Sequence, residues 1–173
     1  FVKLSCNGSS FGVTKVTKED QLQDAITKAQ SGGSSALIEQ CIEGTEITVP
    51  VLGNEDPQAL PIIEVVTGAD FYDLKVKYED PSKHHVIPAR LDEDIYKKAQ
   101  EYAVIAHKAL GCAGASRSDF IVTADGEPVI LETNTIPGMT ETSLLPDSAR
   151  HAGIEFPELC RRLIELTFER FEA

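Results

Sequence analysis

Two short apolar runs, Phe120-Ile-Val122 and Val129-Ile-Leu131, flank Asp125-Gly126, and this pattern predicts a β-hairpin. Asp-Gly tolerates the positive φ that a two-residue hairpin turn requires. Centred there, the turn sets Asp119 opposite Glu132 and Arg117 opposite Asn134. Strand side chains alternate, so these four share one face, and Phe120, Val122, Val129 and Leu131 are expected to pack on the other. Directly opposed carboxylates repel unless something positive lies between them, and Asp, Glu and Asn oxygens suit a hard divalent cation such as Mg²⁺. The hairpin therefore predicts a metal site. A solvated polar face is the ordinary alternative, but the packable opposite face and the Gly-containing loop that follows at once argue against it.

The rest of the pattern predicts alternating strands and helices. A Gly/Ser loop at residues 8–12 leads into a short strand at 13–16, then a helix capped by Thr17 with Leu22, Ala25, Ile26 and Ala29 as its buried stripe. Residues 36–42 and 46–52 read as two strands of one hairpin about Glu43-Gly44, and 60–66 as a further strand. A polar run reaches Pro88, in which Lys75, Lys77 and Tyr78 could close over a bound anion as a lid, while His84 and His85 receive no role. Asp92 caps a long helix to Leu110 with Ile95, Ala99, Tyr102, Ala103, Ala106 and Leu110 on one side. A short helix begins near Ser143 and ends at Gly153, and its free N–H groups could receive a carboxylate or phosphate. The last helix, 157–171, carries Leu159, Leu163, Ile164, Phe168 and Phe171 as a packing face.

Composition narrows the function. The net charge of −12 over 173 residues argues against a nucleic-acid phosphate binder, though basic residues can still gather around a small anion. Cys6, Cys41, Cys112 and Cys160 show neither CxxC nor zinc spacing and fit free thiols of the cytosol. No apolar run approaches the roughly 20 residues of a membrane span, and no signal peptide opens the chain, so a cytoplasmic protein with no membrane partner is expected. Phe1-Val2-Lys3 reads as a strand already in progress, so the chain is expected to be a fragment. Gly8, Ser9, Ser10 and Gly12 could expose amides and hydroxyls to phosphate oxygens beside Lys3, although such loops also simply connect strands. Near Glu39 and Glu46, strand backbone could meet an adenine edge and a carboxylate the ribose, but on this segment alone a plain surface hairpin with acidic decoration is the better reading.

Taken in order, these segments resemble the C-terminal part of the D-alanine–D-alanine ligases, of the ATP-grasp fold. The residues that carry the resemblance are Lys3 with Gly8-Ser-Ser-Phe-Gly12, Leu37-Ile-Glu39, Glu43-Gly-Thr-Glu46, Phe71-Tyr-Asp with Lys77-Tyr78, Arg117-Ser-Asp119, and Glu132-Thr-Asn-Thr-Ile-Pro-Gly-Met-Thr140 with Ser143-Leu144. The resemblance implies an α+β, mostly antiparallel sheet with packed helices, divided into 1–40 (the remainder of a central subdomain with the phosphate loop) and 41–173 (a C-terminal subdomain with metal and substrate sites). It implies ATP and two Mg²⁺ or Mn²⁺ ions, the metals held by Asp119, Glu132 and Asn134. Lys3, Ser10 and Lys77 would bind phosphates, Glu39 and the backbone near Cys41 and Ile42 the adenine, Phe71 its face, and Glu46 the ribose. Arg117 and the Gly138 N–H would stabilise oxyanion charge, Ser143 and Leu144 would receive the second D-alanine, and Ser9 and Tyr78 would close the lid.

Leu4 stands where the family often has Pro, and Glu141 where it commonly has a small polar residue. The family's N-terminal domain is missing, so the isolated fragment is expected to be inactive. The family is commonly dimeric, which extends the implication to a homodimer of the full-length protein. A D-alanine–D-lactate ligase, or a nucleotide-binding module without catalysis, are the alternative readings.

Overall fold

The computed structural model describes residues 1–5, 12–31, 35–66 and 85–172. These residues fall into two compact units, 1–42 and 43–66 with 85–172.

In the first unit, β1 (Val2–Leu4) pairs antiparallel with β2 (Ala36–Ile38), setting Lys3 opposite Leu37. α1 (Leu22–Gln30) buries Ala25 and Ala29 against Val2, with Leu22 and Ile26 alongside, as its 3.6-residue period predicts. Its start differs from the expectation. Gln21, rather than the Thr17 hydroxyl, ties down the entry, its Oε1 accepting the Thr17 and Lys18 N–H groups at 3.1 and 3.3 Å. Residues 13–16 form an isolated bridge between Thr14 and Val2 instead of a strand, because Val16 turns into the Ala25/Ala29 cluster.

The second unit is built on a six-stranded sheet in the order β6-β5-β3-β7-β8, with β4 also pairing β3. The strands are β3 (Thr45–Leu52), β4 (Gln58–Ala59), β5 (Ile63–Val65), β6 (His85–Val86), β7 (Ala115–Val122) and β8 (Pro128–Asn134), and every pairing is antiparallel. Three helices accompany them: α2 (Glu93–Ala109), α3 (Leu144–His151) and α4 (Phe156–Glu172). The class is α+β.

The predicted hairpin of 36–42 with 46–52 does not form; the two stretches lie in different sheets. Positions 47–52 are buried on both faces, the mark of a central strand, and β3 accordingly sits between β5 and β7. Gly44 lies so close to β7 that an added Cβ would stand 2.1 Å from the Val122 carbonyl oxygen. Only glycine fits there.

One sheet face holds the apolar core, with the buried Ser116 and Ser118 among its β7 positions. Ile47, Val49, Val51, Phe120 and Val122 pack on Ala99 and Ala103 of α2. His107 continues that helical row, buried, with Nδ1 2.8 Å from Ser116 Oγ. Leu110, expected in the stripe, is exposed because the helix has already ended, with Gly111 at φ 64° turning the chain away. Further links bind α2 to the sheet's other edge: the Ile62 N–H donates to Tyr96 Oη at 2.7 Å, and Gln100 donates to Leu60 O at 3.1 Å.

Among the described residues of this unit, helices cover the opposite face at one end. There Leu52 and Ala115 pack beneath Leu145 and Ala149 of α3 and Leu159 of α4. Asn54 fixes this end, accepting the Gly114 N–H and donating to Leu166 O of α4 at 2.8 Å. With Leu159, Leu163 and Leu166 facing inward, Ile164 and Phe168 are left exposed, against the sequence expectation.

Candidate active site

The other end of that second face carries the polar residues. Counting forward along β7 from Ala115 in steps of two gives Arg117 and Asp119, and back along β3 from Leu52 gives Pro50 and Thr48. In the sheet, Asp119 lies between Thr48 of β3 and Glu132 of β8, and Arg117 between Pro50 and Asn134. The structure thus brings together the four hairpin residues singled out from sequence.

The turn that delivers them is not the two-residue turn expected. The Thr123 N–H bonds to Glu127 O at 3.0 Å and the Gly126 N–H to Thr123 O at 2.9 Å, leaving a three-residue loop with Gly126 at φ 82°. This shifts the pairing by one residue, so that Phe120 faces Ile130 and Val122 faces Pro128. A bulge between the Asp119 and Phe120 pairs, with Leu131 as the extra residue on β8, restores the expected register at the site. Leu131 consequently stays exposed instead of joining Phe120 in the core.

Asp119 accepts hydrogen bonds from three side chains. Arg117 donates through Nε to Oδ1 and through Nη2 to Oδ2, both at 3.0 Å. Asn134 donates to Oδ2 at 3.3 Å, and Thr48 Oγ1 donates to Oδ1. Thr48 is buried, its hydroxyl also 3.4 Å from Ser118 O, and it orients the carboxylate from below. Sequence reasoning assigned it nothing, although its place two residues after Glu46 in an alternating strand was the signal available. Glu46 itself sits on the same face, opposite Ile121.

Asp119, Glu132 and Asn134 offer hard oxygen ligands on adjacent strands, and Asp119 already attracts a cationic partner in Arg117. That chemistry fits a divalent cation. No group of three or more His, Cys, Asp or Glu side chains suited to a metal occurs among the described residues. The set is two carboxylates and an amide, which suits an ion that keeps water or phosphate oxygens as its other ligands.

Beyond β8 the chain loops past Gly138 into α3. Ser143, the residue before the helix, turns its hydroxyl back to accept the Thr140 N–H at 3.1 Å and to pair with Thr140 Oγ1 at 2.7 Å. An added Cβ on Gly138 would stand 2.9 Å from that hydroxyl. Met139 anchors the loop on the Leu145 cluster, and Arg150 donates to Glu141 O at 3.1 Å. Pro146 has no N–H and the Asp147 N–H bonds to Ser143 O, so the N–H groups of Leu144 and Leu145 are those without an acceptor inside the helix.

In the first unit, Lys3 and Glu39 form an ion pair at 2.8 Å, while Cys41 is exposed and Ile42 half-buried. Ser9, Ser10, Phe71, Lys77 and Tyr78 lie outside the described residues.

Residues 1–165 match the family described as D-ala D-ala ligase C-terminus. The chain is 49% identical over 168 residues to a D-alanine–D-alanine ligase of Pelotomaculum thermopropionicum, covering 97% of this chain and 53% of that protein. Among solved structures, the VanG D-Ala:D-Ser ligase of Enterococcus faecalis is 36% identical with a TM-score of 0.83, over 96% of this chain and 48% of that one. The D-alanine–D-alanine ligase of Bacillus anthracis complexed with ATP is 29% identical with a TM-score of 0.78, over 99% of this chain and 52% of that one. The chain spans about half the length of the curated relatives it matches. It belongs to the family of D-alanine–D-alanine ligase C-terminal regions, of the ATP-grasp fold.

Proposed function

We propose that this chain is the nucleotide- and acceptor-binding part of an ATP-dependent, cytoplasmic ligase that joins two D-alanines for peptidoglycan precursor synthesis. The observation that carries the reading is the convergence of Arg117, Asp119, Glu132 and Asn134 at one end of one sheet face. It occurs in a chain 49% identical to a D-alanine–D-alanine ligase. The ATP complex of the Bacillus anthracis relative supports ATP as the phosphoryl donor.

In this reading the residues up to 40 complete the nucleotide-binding subdomain and those from 41 onward carry the metal and acceptor sites. The carboxylate of one D-alanine is phosphorylated at the expense of ATP, and the amine of a second attacks the acyl phosphate. Asp119, Glu132 and Asn134 would hold Mg²⁺, which when bound neutralises charge on the transferred phosphoryl group. Lys3, Ser10 and Lys77 would contact phosphates, Glu39 with the backbone of Cys41 and Ile42 the adenine, Phe71 its ring face, and Glu46 the ribose. Arg117 and the Gly138 N–H would meet the developing oxyanion, a role that favours donors fixed in advance. The Leu144 N–H and the Ser143 loop would take the acceptor carboxylate at the start of α3. Ser9 and Tyr78 would complete the closed site.

The test is phosphate release from ATP by the full-length protein, supplied with D-alanine alone and with D-alanine plus D-serine or D-lactate. Release that depends on D-alanine alone is the expected result. Release requiring D-serine or D-lactate would move the chain to an acceptor variant such as the one the VanG relative is named for. ATP binding without release would favour a noncatalytic module.

A further inference from the structure

A two-pronged contact in the site joins two residues with different proposed tasks. Arg117 covers both oxygens of Asp119 with a two-pronged guanidinium contact, and the two side chains are only 19% and 20% exposed. Thr48 and Asn134 add a donor to each oxygen. A cation arriving at Asp119 needs a lone pair that Arg117 occupies, and it meets a like charge at contact distance where water screens poorly. The Nε–H and the Nη2 proton that lie against Asp119 cannot at the same time be aimed at a reacting oxyanion elsewhere. Arg117 and the metal therefore compete for one carboxylate.

We propose that Arg117 is the resting counter-ion of Asp119 and that metal binding exchanges it, releasing the guanidinium for the oxyanion. The proposal rests on the metal-site reading above. Asp119 keeps its orientation through the exchange because Thr48 and Asn134 are neutral donors, and Thr48 is held between Asp119 and Ser118 O. A cation repels neither of them. The consequence is an order of events: the oxyanion-stabilising group becomes available only once metal is in place, so the charged apparatus is assembled in one step.

The exchange predicts that Arg117 weakens metal binding, the opposite of what a supporting residue would do. Mn²⁺ alone, titrated into the chain and followed by its free-ion paramagnetic resonance signal, reads this directly. Arg117→Gln is expected to bind Mn²⁺ about tenfold tighter than wild type, the scale of one lost hydrogen-bonded charge contact. Arg117→Lys, which keeps the charge but not the fork, should fall between, and Asp119→Asn should lose binding. In the wild type, the Arg117 Nε–H resonance, identified by its absence from Arg117→Gln, should shift and lose solvent protection as Mg²⁺ is added. This readout needs no variant to bind metal.

Unchanged or weaker binding by Arg117→Gln, with Asp119→Asn still impaired, would overturn the exchange and leave the metal reading standing. Wild-type affinity in Arg117→Lys alongside tightening in Arg117→Gln would assign the effect to net charge and also overturn it. Binding indifferent to Asp119→Asn, or absent from wild type and Arg117→Gln alike, would remove the metal site itself.

Discussion

Asp119 and Phe120 are consecutive residues on opposite faces of β7. Phe120 is fully buried among Ile47, Val49, Val122 and α2, on the face that holds the apolar core. Asp119 looks the other way, onto a face that α3 and α4 cover at the Leu52–Ala115 end and that carries Thr48, Arg117 and Glu132 at the other. The apolar face needs a particular register to bury its residues, and the polar face inherits that register. The placement of Arg117, Asp119 and Glu132 is thus set by packing on the far side of the strand.

Breaking the apolar face should have the largest effect. Phe120→Ala is expected to cost about 3–5 kcal/mol in urea unfolding of the second unit, through lost burial and the cavity left behind. A loss below about 1 kcal/mol would mean that Phe120 does not anchor the register.

A smaller loss is expected at the sheet's other edge. Buried Glu64 accepts the Arg90 backbone N–H and Nε at 3.0 Å each and Nη2 at 2.5 Å. Glu64→Ala should cost about 1–2 kcal/mol, limited because the Arg90 side chain is mostly exposed to water. Arg90 holds the Glu64 carboxyl below its ordinary value of 4.5, against the opposing pull of burial. The pair's contribution is therefore present above pH 4.5 and lost as pH falls through the lower folded value. Denaturation midpoints measured between pH 7 and 3 should converge for wild type and variant at the acid end.

Gly126→Ala sharpens the comparison at the turn. Alanine is strained at φ 82°, and its Cβ would stand 2.8 Å from Ile95 Cδ1, so about 1 kcal/mol should be lost while the site half of the hairpin, beyond the bulge, keeps its pairing. Amide exchange at Arg117 and Asp119 would reveal whether the two halves are separable.

The smallest effect is a change of pH slope. Burial pushes the His107 ring below its ordinary 6.5, opposed by hydrogen bonds with the backbone of Gly53 and Cys112 and assisted by the nearby Lys108 charge. The neutral ring is the folded form. Stability should decline as pH falls below 6.5 and level off beneath the folded value, a slope that His107→Gln should flatten.

The sequence revealed the hairpin, the two long helices and the grouping of Arg117, Asp119, Glu132 and Asn134, because alternation and turn chemistry are local. It concealed the three-residue turn and the Leu131 bulge, which are individually one-residue errors and cancel at the site. It also concealed the separation of β2 from β3, since a turn at Glu43-Gly44 reads the same whether the chain doubles back or crosses to another sheet. Thr48 and His107 escaped notice because their importance lies in partners 71 and 9 residues away, Asp119 and Ser116. Pairings of that kind come from the fold.

The most direct test of the whole account is turnover of Glu132→Gln in the full-length protein across a Mg²⁺ titration, with circular dichroism to confirm the fold. Glu132 lies on the exposed strand opposite Asp119, so the substitution removes a carboxylate without touching the core. The account predicts a native spectrum with turnover reduced by about a hundredfold or more, the scale of losing several kcal/mol of transition-state charge stabilisation. Near-normal turnover at ordinary Mg²⁺ would contradict the metal assignment and the proposal built upon it.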